Sequence, residues 1–127
     1  MKIAASTFKG GIDDIVAEHF GRAESFTIVD VDGSEIQTVE VLKNSAANQT
    51  SGAGVAASQL IVNKDADVVL TGSVGPKALA VLQAAGVRIY RASGLKVGDA
   101  VKKYLGGELE EITAPTAPKR GLGRFKG

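Results

Sequence analysis

One histidine, His19, lies in the run His19-Phe20-Gly21-Arg22-Ala23, and it is the only imidazole available to ligate a metal, move a proton or fasten a loop. No cysteine accompanies it. Disulfides, thiolate nucleophiles and thiolate-held zinc or iron–sulfur centres built from this chain alone are therefore excluded. Arg22 suits an anionic ligand, and suits equally a neighbouring carboxylate such as Glu18 or Glu24. Three further stretches carry glycine where a ligand crevice would form. They are Ser6 to Gly11 with Lys9, Gly10 and Gly11; Gly72 to Lys77 with Gly72, Ser73, Gly75 and Lys77; and Ala92 to Leu95 with Ser93 and Gly94. Glycine lets backbone amides approach a ligand closely, and Pro76 suits the first position of a helix whose N-terminus favours negative charge. With Lys9 and Lys77 as counter-charges, an anion is the natural guest of these loops. A plain strand-to-helix turn accounts for Gly72 to Pro76 equally well.

Other chemistries find no support. Gly52-Ala53-Gly54-Val55-Ala56-Ala57 imitates a dinucleotide fingerprint, but no opening strand of a βαβ unit precedes it and no ribose-binding acid follows at the required distance. Asp13, Asp14, Glu18, Asp30 and Asp32 have no spacing that marks a catalytic carboxylate pair or a two-metal set. Neither a Gly-x-Ser-x-Gly elbow nor a P-loop occurs.

The elements that must position these loops follow from patterning. Ser25 to Val31 and Glu35 to Leu42 read as strands joined at Asp32-Gly33-Ser34, a tight hairpin turn. Lys2 to Ser6 and Val87 to Arg91 read as short strands. Asp67 to Thr71 is nearly all apolar and β-branched, as a central strand covered on both faces would be. Helical spacing places Ala53, Ala57, Leu60 and Ile61 on one face, Leu79, Leu82 and Ala85 on another, and Val97, Val101, Tyr104 and Leu105 on a third. The expected fold is α/β, a three-layer α/β/α sandwich around a mixed, mostly parallel five-stranded sheet, with the opening strand beside the Asp67 strand. Ligand crevices in such sheets lie beyond the carboxyl ends of the strands, where the three glycine stretches fall.

The chain has 127 residues, 44% hydrophobic and 23% charged, enough apolar material for one core and too much for gross disorder. The net charge of +1 conceals an asymmetry. Lys119, Arg120, Arg124 and Lys126 lie beyond residue 112 with no acid among them, so 11 of the 15 bases remain to face all 14 acids in residues 1–112. That body, at −3, has no electrostatic footprint for nucleic acid. Residues 1–112 are expected to form one domain and residues 113–127 a flexible basic tail. The absence of a long apolar run or a signal-peptide pattern gives a soluble, cytoplasmic protein without membrane contact as the expectation.

Taken in order, MKIAAST at the start, EHFGRAESFTIVDVD from Glu18, GAGVAASQLI from Gly52, DVVLTGSVGPKALAVLQAAGVRIYRASG from Asp67 and YLGGELEE from Tyr104 resemble the dinitrogenase iron–molybdenum cofactor biosynthesis family. The resemblance covers nearly all of residues 1–112, and its most specific parts are His-Phe-Gly-Arg-Ala and Thr-Gly-x-x-Gly-Pro-Lys-Ala. It implies a ribonuclease-H-like fold without that fold's nuclease acids. It also implies a non-enzymatic role in binding, carrying or inserting a metal–sulfur cluster containing molybdenum, iron or both, bound transiently and not covalently. Cluster donor and acceptor proteins would be its partners. By position His19 becomes the implied metal ligand, with Phe20, Gly21 and Arg22 shaping its loop and Gly72, Gly75 and Lys77 forming the anion-receiving side. Several members carry another His or a Cys after the hairpin, where this chain has Asn48-Gln49-Thr50-Ser51. A cluster that brings its own sulfide would then be held by amides, Lys and Arg with at most one His bond. The alternative reading is a metal-independent binding or regulatory module for a phosphorylated metabolite or nucleotide.

Overall fold

A computed structural model describes residues 1–116. In chain order the elements are β1 (Lys2–Thr7), β2 (Ser25–Asp32), β3 (Glu35–Lys43), α1 (Ala53–Asn63), β4 (Val68–Thr71), α2 (Pro76–Ala84), β5 (Arg88–Arg91) and α3 (Val97–Leu105). The strands form one sheet in the order β3-β2-β1-β4-β5. Its ladders divide evenly, two antiparallel through the hairpin and two parallel from β1 to β4 and β4 to β5, while four of the five strands share one direction. Gly33, at φ 64°, makes the left-handed corner that the hairpin needs.

Alternation along the strands produces the three layers. Ala4, Ile28, Val69 and Ile89 point to one face and meet Ala57 and Ile61 of α1 and Ala78, Leu79 and Leu82 of α2. Ile3, Ala5, Val29, Val68 and Leu70 point to the other and meet Val97, Ala100 and Val101 of α3. All four residues of β4 are buried, as its unbroken apolar run predicts. Each fully buried Leu, Ile or Phe contributes about 1.5–3 kcal/mol by leaving water.

The two sheet edges differ. Beyond β5, Glu110 to Ile112 lie antiparallel to it, with the Arg91 amide donating to the Glu110 carbonyl (2.9 Å) and the Ile112 amide to the Ile89 carbonyl (2.7 Å). β3 has no neighbour on its outer side among the described residues, and every residue but Leu42 is exposed. Residues 113–116, expected as the first part of the tail, lie against the domain. Thr116 donates its amide to the Val74 carbonyl (2.9 Å) and accepts the Val74 amide on Oγ1 (3.0 Å), which fastens residues 113–116 beside α2. The four basic residues expected in the tail lie in 117–127, outside the described residues.

Candidate functional site

The carboxyl ends of β1, β4 and β5 open toward one end of the sheet, and the loops there are cross-tied by buried hydroxyls. Ser6 Oγ lies 2.7 Å from Thr71 Oγ1 and donates to the Ala17 carbonyl. Thr7 Oγ1 is within hydrogen-bond distance of Ser25 Oγ (2.7 Å) and Thr27 Oγ1 (3.0 Å). No buried side-chain polar atom among the described residues lacks a partner, so these hydroxyls hold the loops together and are not left open for a ligand.

The Lys9-Gly10-Gly11 loop differs from its sequence reading. Its amides face inward: Asp14 Oδ2 accepts from Phe8 (2.9 Å) and Gly10 (2.8 Å), and Thr27 Oγ1 accepts from Gly11 (3.0 Å). Burial is the strongest single influence on Asp14 and opposes its charge. Together the amides of Gly10, Ile15, Phe8 and Lys9 outweigh it and hold the carboxyl below its usual value. A carboxyl lowered on folding stabilises above its unfolded pKa and loses that contribution as pH falls through its folded value. Asp14→Ala is therefore expected to cost about 1–2 kcal/mol near neutral pH. In urea titrations at a series of pH values, the gap from the parent should shrink below about pH 4; a gap that stays constant to pH 3 contradicts this role.

The two most specific sequence runs meet directly. His19 and Ser73 form a short parallel bridge, in which the Phe20 amide donates to the Ser73 carbonyl (3.1 Å) and the Ser73 amide to the Glu18 carbonyl (2.6 Å). Ser73 Oγ also donates to Glu18 (3.2 Å), and the Gly72 carbonyl accepts from Arg91 (3.2 Å). Phe20 is buried and packs on Phe26 with ring centroids 5.2 Å apart. Arg22 forms no ion pair with Glu18 or Glu24. Its guanidinium donates to the Ala47 and Gln49 carbonyls and pins the linker that leads to α1.

Past this junction a cavity of about 260 Å³ opens between the starts of α1 and α2. Phe20 and Gly21, Gly52, Gly54 and Val55 of the α1 start, and Gly75, Pro76 and Lys77 of the α2 start supply its walls. Neither helix has a side-chain cap, Gly52 and Gly75 occupying the N-cap positions. Two helix starts therefore border one space, each with the partial positive charge of a helix N-terminus. Glycine permits the approach: a Cβ on Gly21 would lie 2.8 Å from the Gly54 Cα, and one on Gly54 would lie 3.2 Å from the Ala78 Cβ. Lys77 is exposed at the rim and takes part in no ion pair among the described residues.

The structure thus divides the residues expected from sequence. Phe20, Gly21, Gly75 and Lys77 share the cavity between the helices. His19 and Arg22 line a neighbouring hollow of about 160 Å³ with Phe8, Glu18 and Glu24, on the other side of the same loop. Lys9 lines a third, of about 390 Å³, with Lys43, Asn44 and Asn48. Gly72 and Ser73 are buried in the junction beneath. Ser93 and Gly94 sit apart, the Gly94 amide donating to the Val16 carbonyl (3.0 Å). Gly52, Gly54 and Val55 belong to the cavity although the sequence reading set them aside with the failed dinucleotide pattern; two glycines at the head of an amphipathic helix were the available signal.

These features define an α/β/α domain with a cavity between two helix starts at the carboxyl end of its sheet. Residues 1–107 match the family described as dinitrogenase iron–molybdenum cofactor, and the chain belongs to it. An uncharacterised protein of Methanocaldococcus jannaschii is 33% identical over 97 residues, 76% of this chain and 82% of its own length. The apo form of the orange protein from Desulfovibrio gigas superposes with a TM-score of 0.85 at 36% identity, covering 91% of this chain and 96% of that one. A Thermotoga protein described as a NifB candidate superposes with a TM-score of 0.76 at 31% identity, covering 93% and 98%. Among the described residues no helix is long and apolar enough to cross a membrane.

Proposed function

We propose that the chain binds and carries, without transforming it, a metal–sulfur cluster containing molybdenum, iron or both, and that the cavity between α1 and α2 receives it. The carrying observation is the convergence of two uncapped helix starts and Lys77 on one space walled by Phe20. Ligand chemistry selects the form of the cargo. Among the described residues no group of three or more His, Asp or Glu could hold a bare metal ion, and the chain has no cysteine. A cluster arriving with its own sulfide needs no protein thiolate. Its negative charge is met by first-turn amides and by Lys77, while Phe20, Val55 and Pro76 supply apolar wall that keeps water from the sulfides. His19, exposed one residue before Phe20, lines the neighbouring hollow, so its one coordinate bond is open only to cargo that extends from the cavity past the Phe20 loop. Holding of this kind is reversible, as delivery between a donor and an acceptor protein requires. The work of such a carrier is intracellular, in the cytoplasm.

Anaerobic incubation of the full chain with molybdate or ferrous iron plus sulfide tests the reading. A charge-transfer absorption that co-elutes with the protein and saturates near one cluster per chain is expected. His19→Ala should weaken retention without abolishing it. If no chromophore is retained while a nucleotide or sugar phosphate binds saturably in calorimetry, the site is a metal-independent anion module instead.

A further inference from the structure

The hollow that Lys9 lines is larger than the cavity between α1 and α2 and has its own chemistry. Its volume of about 390 Å³ falls in the range of roughly 300–1,000 Å³ common to small-molecule sites. Its walls are held from three sides. A Cβ on Gly10 would lie 2.5 Å from a Val41 methyl, so the Lys9-Gly10 loop rests directly on β3, and Asp14 and Thr27 hold the loop's amides from behind. On the linker side Asn44 is buried and donates from Nδ2 to the Ala23 carbonyl (2.8 Å), while the Arg22 guanidinium holds the Ala47 carbonyl at 2.9 Å. Between them Ser25 is buried, its Oγ donating to the Phe8 carbonyl (2.9 Å). The space is therefore formed before any ligand arrives.

The groups left open toward it are few and of different kinds. Lys9 and Lys43 both line it, and neither takes part in an ion pair among the described residues. Two like charges bordering one space raise its potential, which a dianion lowers. Phe8 and Val41, 46% and 49% exposed, supply apolar wall, and Glu24 adds a carboxylate that has no cationic partner among the described residues. Inorganic phosphate would meet the lysines and leave Phe8, Val41 and Glu24 unmatched. A nucleoside monophosphate matches all of them: a dianion for the lysines, a base to stack on Phe8, and an amino group on that base to donate to a carboxylate.

We propose that this hollow is a binding site for a nucleoside monophosphate whose base carries an exocyclic amino group, with Lys9 and Lys43 on the phosphate, Phe8 on the base and Glu24 accepting from the amino group. None of these residues lines the cavity between α1 and α2, so the assignment does not depend on what that cavity holds.

Isothermal titration of the full chain with adenosine monophosphate tests it, and saturable binding at one site per chain is expected. Adenosine and ribose 5-phosphate, each lacking one half of the recognition, should bind at least about tenfold more weakly. Lys43→Glu and Phe8→Ala should each weaken the monophosphate by about tenfold; both side chains are exposed, and an unchanged circular dichroism spectrum shows that the variants fold. Lys77→Glu should leave its binding as it is. Absence of saturable heat at millimolar adenosine monophosphate overturns the proposal. So does ribose 5-phosphate binding as tightly as the monophosphate, or Lys43→Glu or Phe8→Ala without effect. A loss in Lys77→Glu would also overturn it, by moving the nucleotide to the cavity between the helices. Chromophore retention, measured without nucleotide, reads the cluster cargo separately.

Discussion

Gly72→Ala is expected to lower the melting temperature by about 10 °C. A Cβ there would fall 2.6 Å from the Glu18 Cδ and 2.7 Å from the Glu18 carbonyl oxygen. The carboxylate end can swing away; the carbonyl cannot, since the Ser73 amide and hydroxyl both donate to it. Relieving the overlap means separating the two loops, at about 2–3 kcal/mol. Glu18→Ala should rescue none of this loss, because the obstructing oxygen belongs to the backbone. Thermal denaturation of the two single variants and the double variant checks the argument, and a rescue would show that the side chain was the obstacle.

Lys77→Glu is expected to weaken retention of the metal–sulfur cargo by about a hundredfold, and Lys77→Ala by about tenfold. The glutamate adds repulsion to the lost attraction, in a space where two helix starts otherwise offer only partial positive charge. Stability should move the opposite way. Lys77 is exposed in the first turn of α2, where an acid is favoured by about 0.5 kcal/mol. A variant that melts no lower than the parent yet loses its chromophore cannot be explained by misfolding. Unchanged retention in Lys77→Glu places the cargo elsewhere, and the His19 hollow or the Lys9 hollow would be next to test.

The elements were legible because their signals are local. Asp32-Gly33-Ser34 between two alternating runs fixed the hairpin, and Pro76 marked the start of α2. The family motifs carried the resemblance for the same reason. What the sequence did not reveal were the partners of polar groups across long separations. Gly10 and Gly11 read as free amides, but whether an amide is free depends on Asp14 and Thr27, and only the folded loop brings Thr27 to Gly11. Arg22 read as an anion contact, yet its acceptors lie 25 and 27 residues on. His19 and Lys77 read as one crevice because their loops are adjacent, whereas side-chain direction sends them to opposite sides of the Phe20 loop. The α1 start escaped notice because its glycines were judged against a nucleotide motif and not against the Gly21 and Ala78 they pack beside.

The pair of hydrogen bonds joining Thr116 to Val74 also decides how the chain's end can be studied. Val74 immediately precedes Gly75, so the backbone leaves the described domain beside the start of α2. Lys119, Arg120, Arg124 and Lys126 all follow Thr116 in the sequence. A deletion at residue 112 therefore removes a fastening and a charge source together, and a loss of binding in it has two explanations. Ending the chain after Thr116 keeps the fastening and removes the four basic residues, which makes residue 116 the informative place to cut.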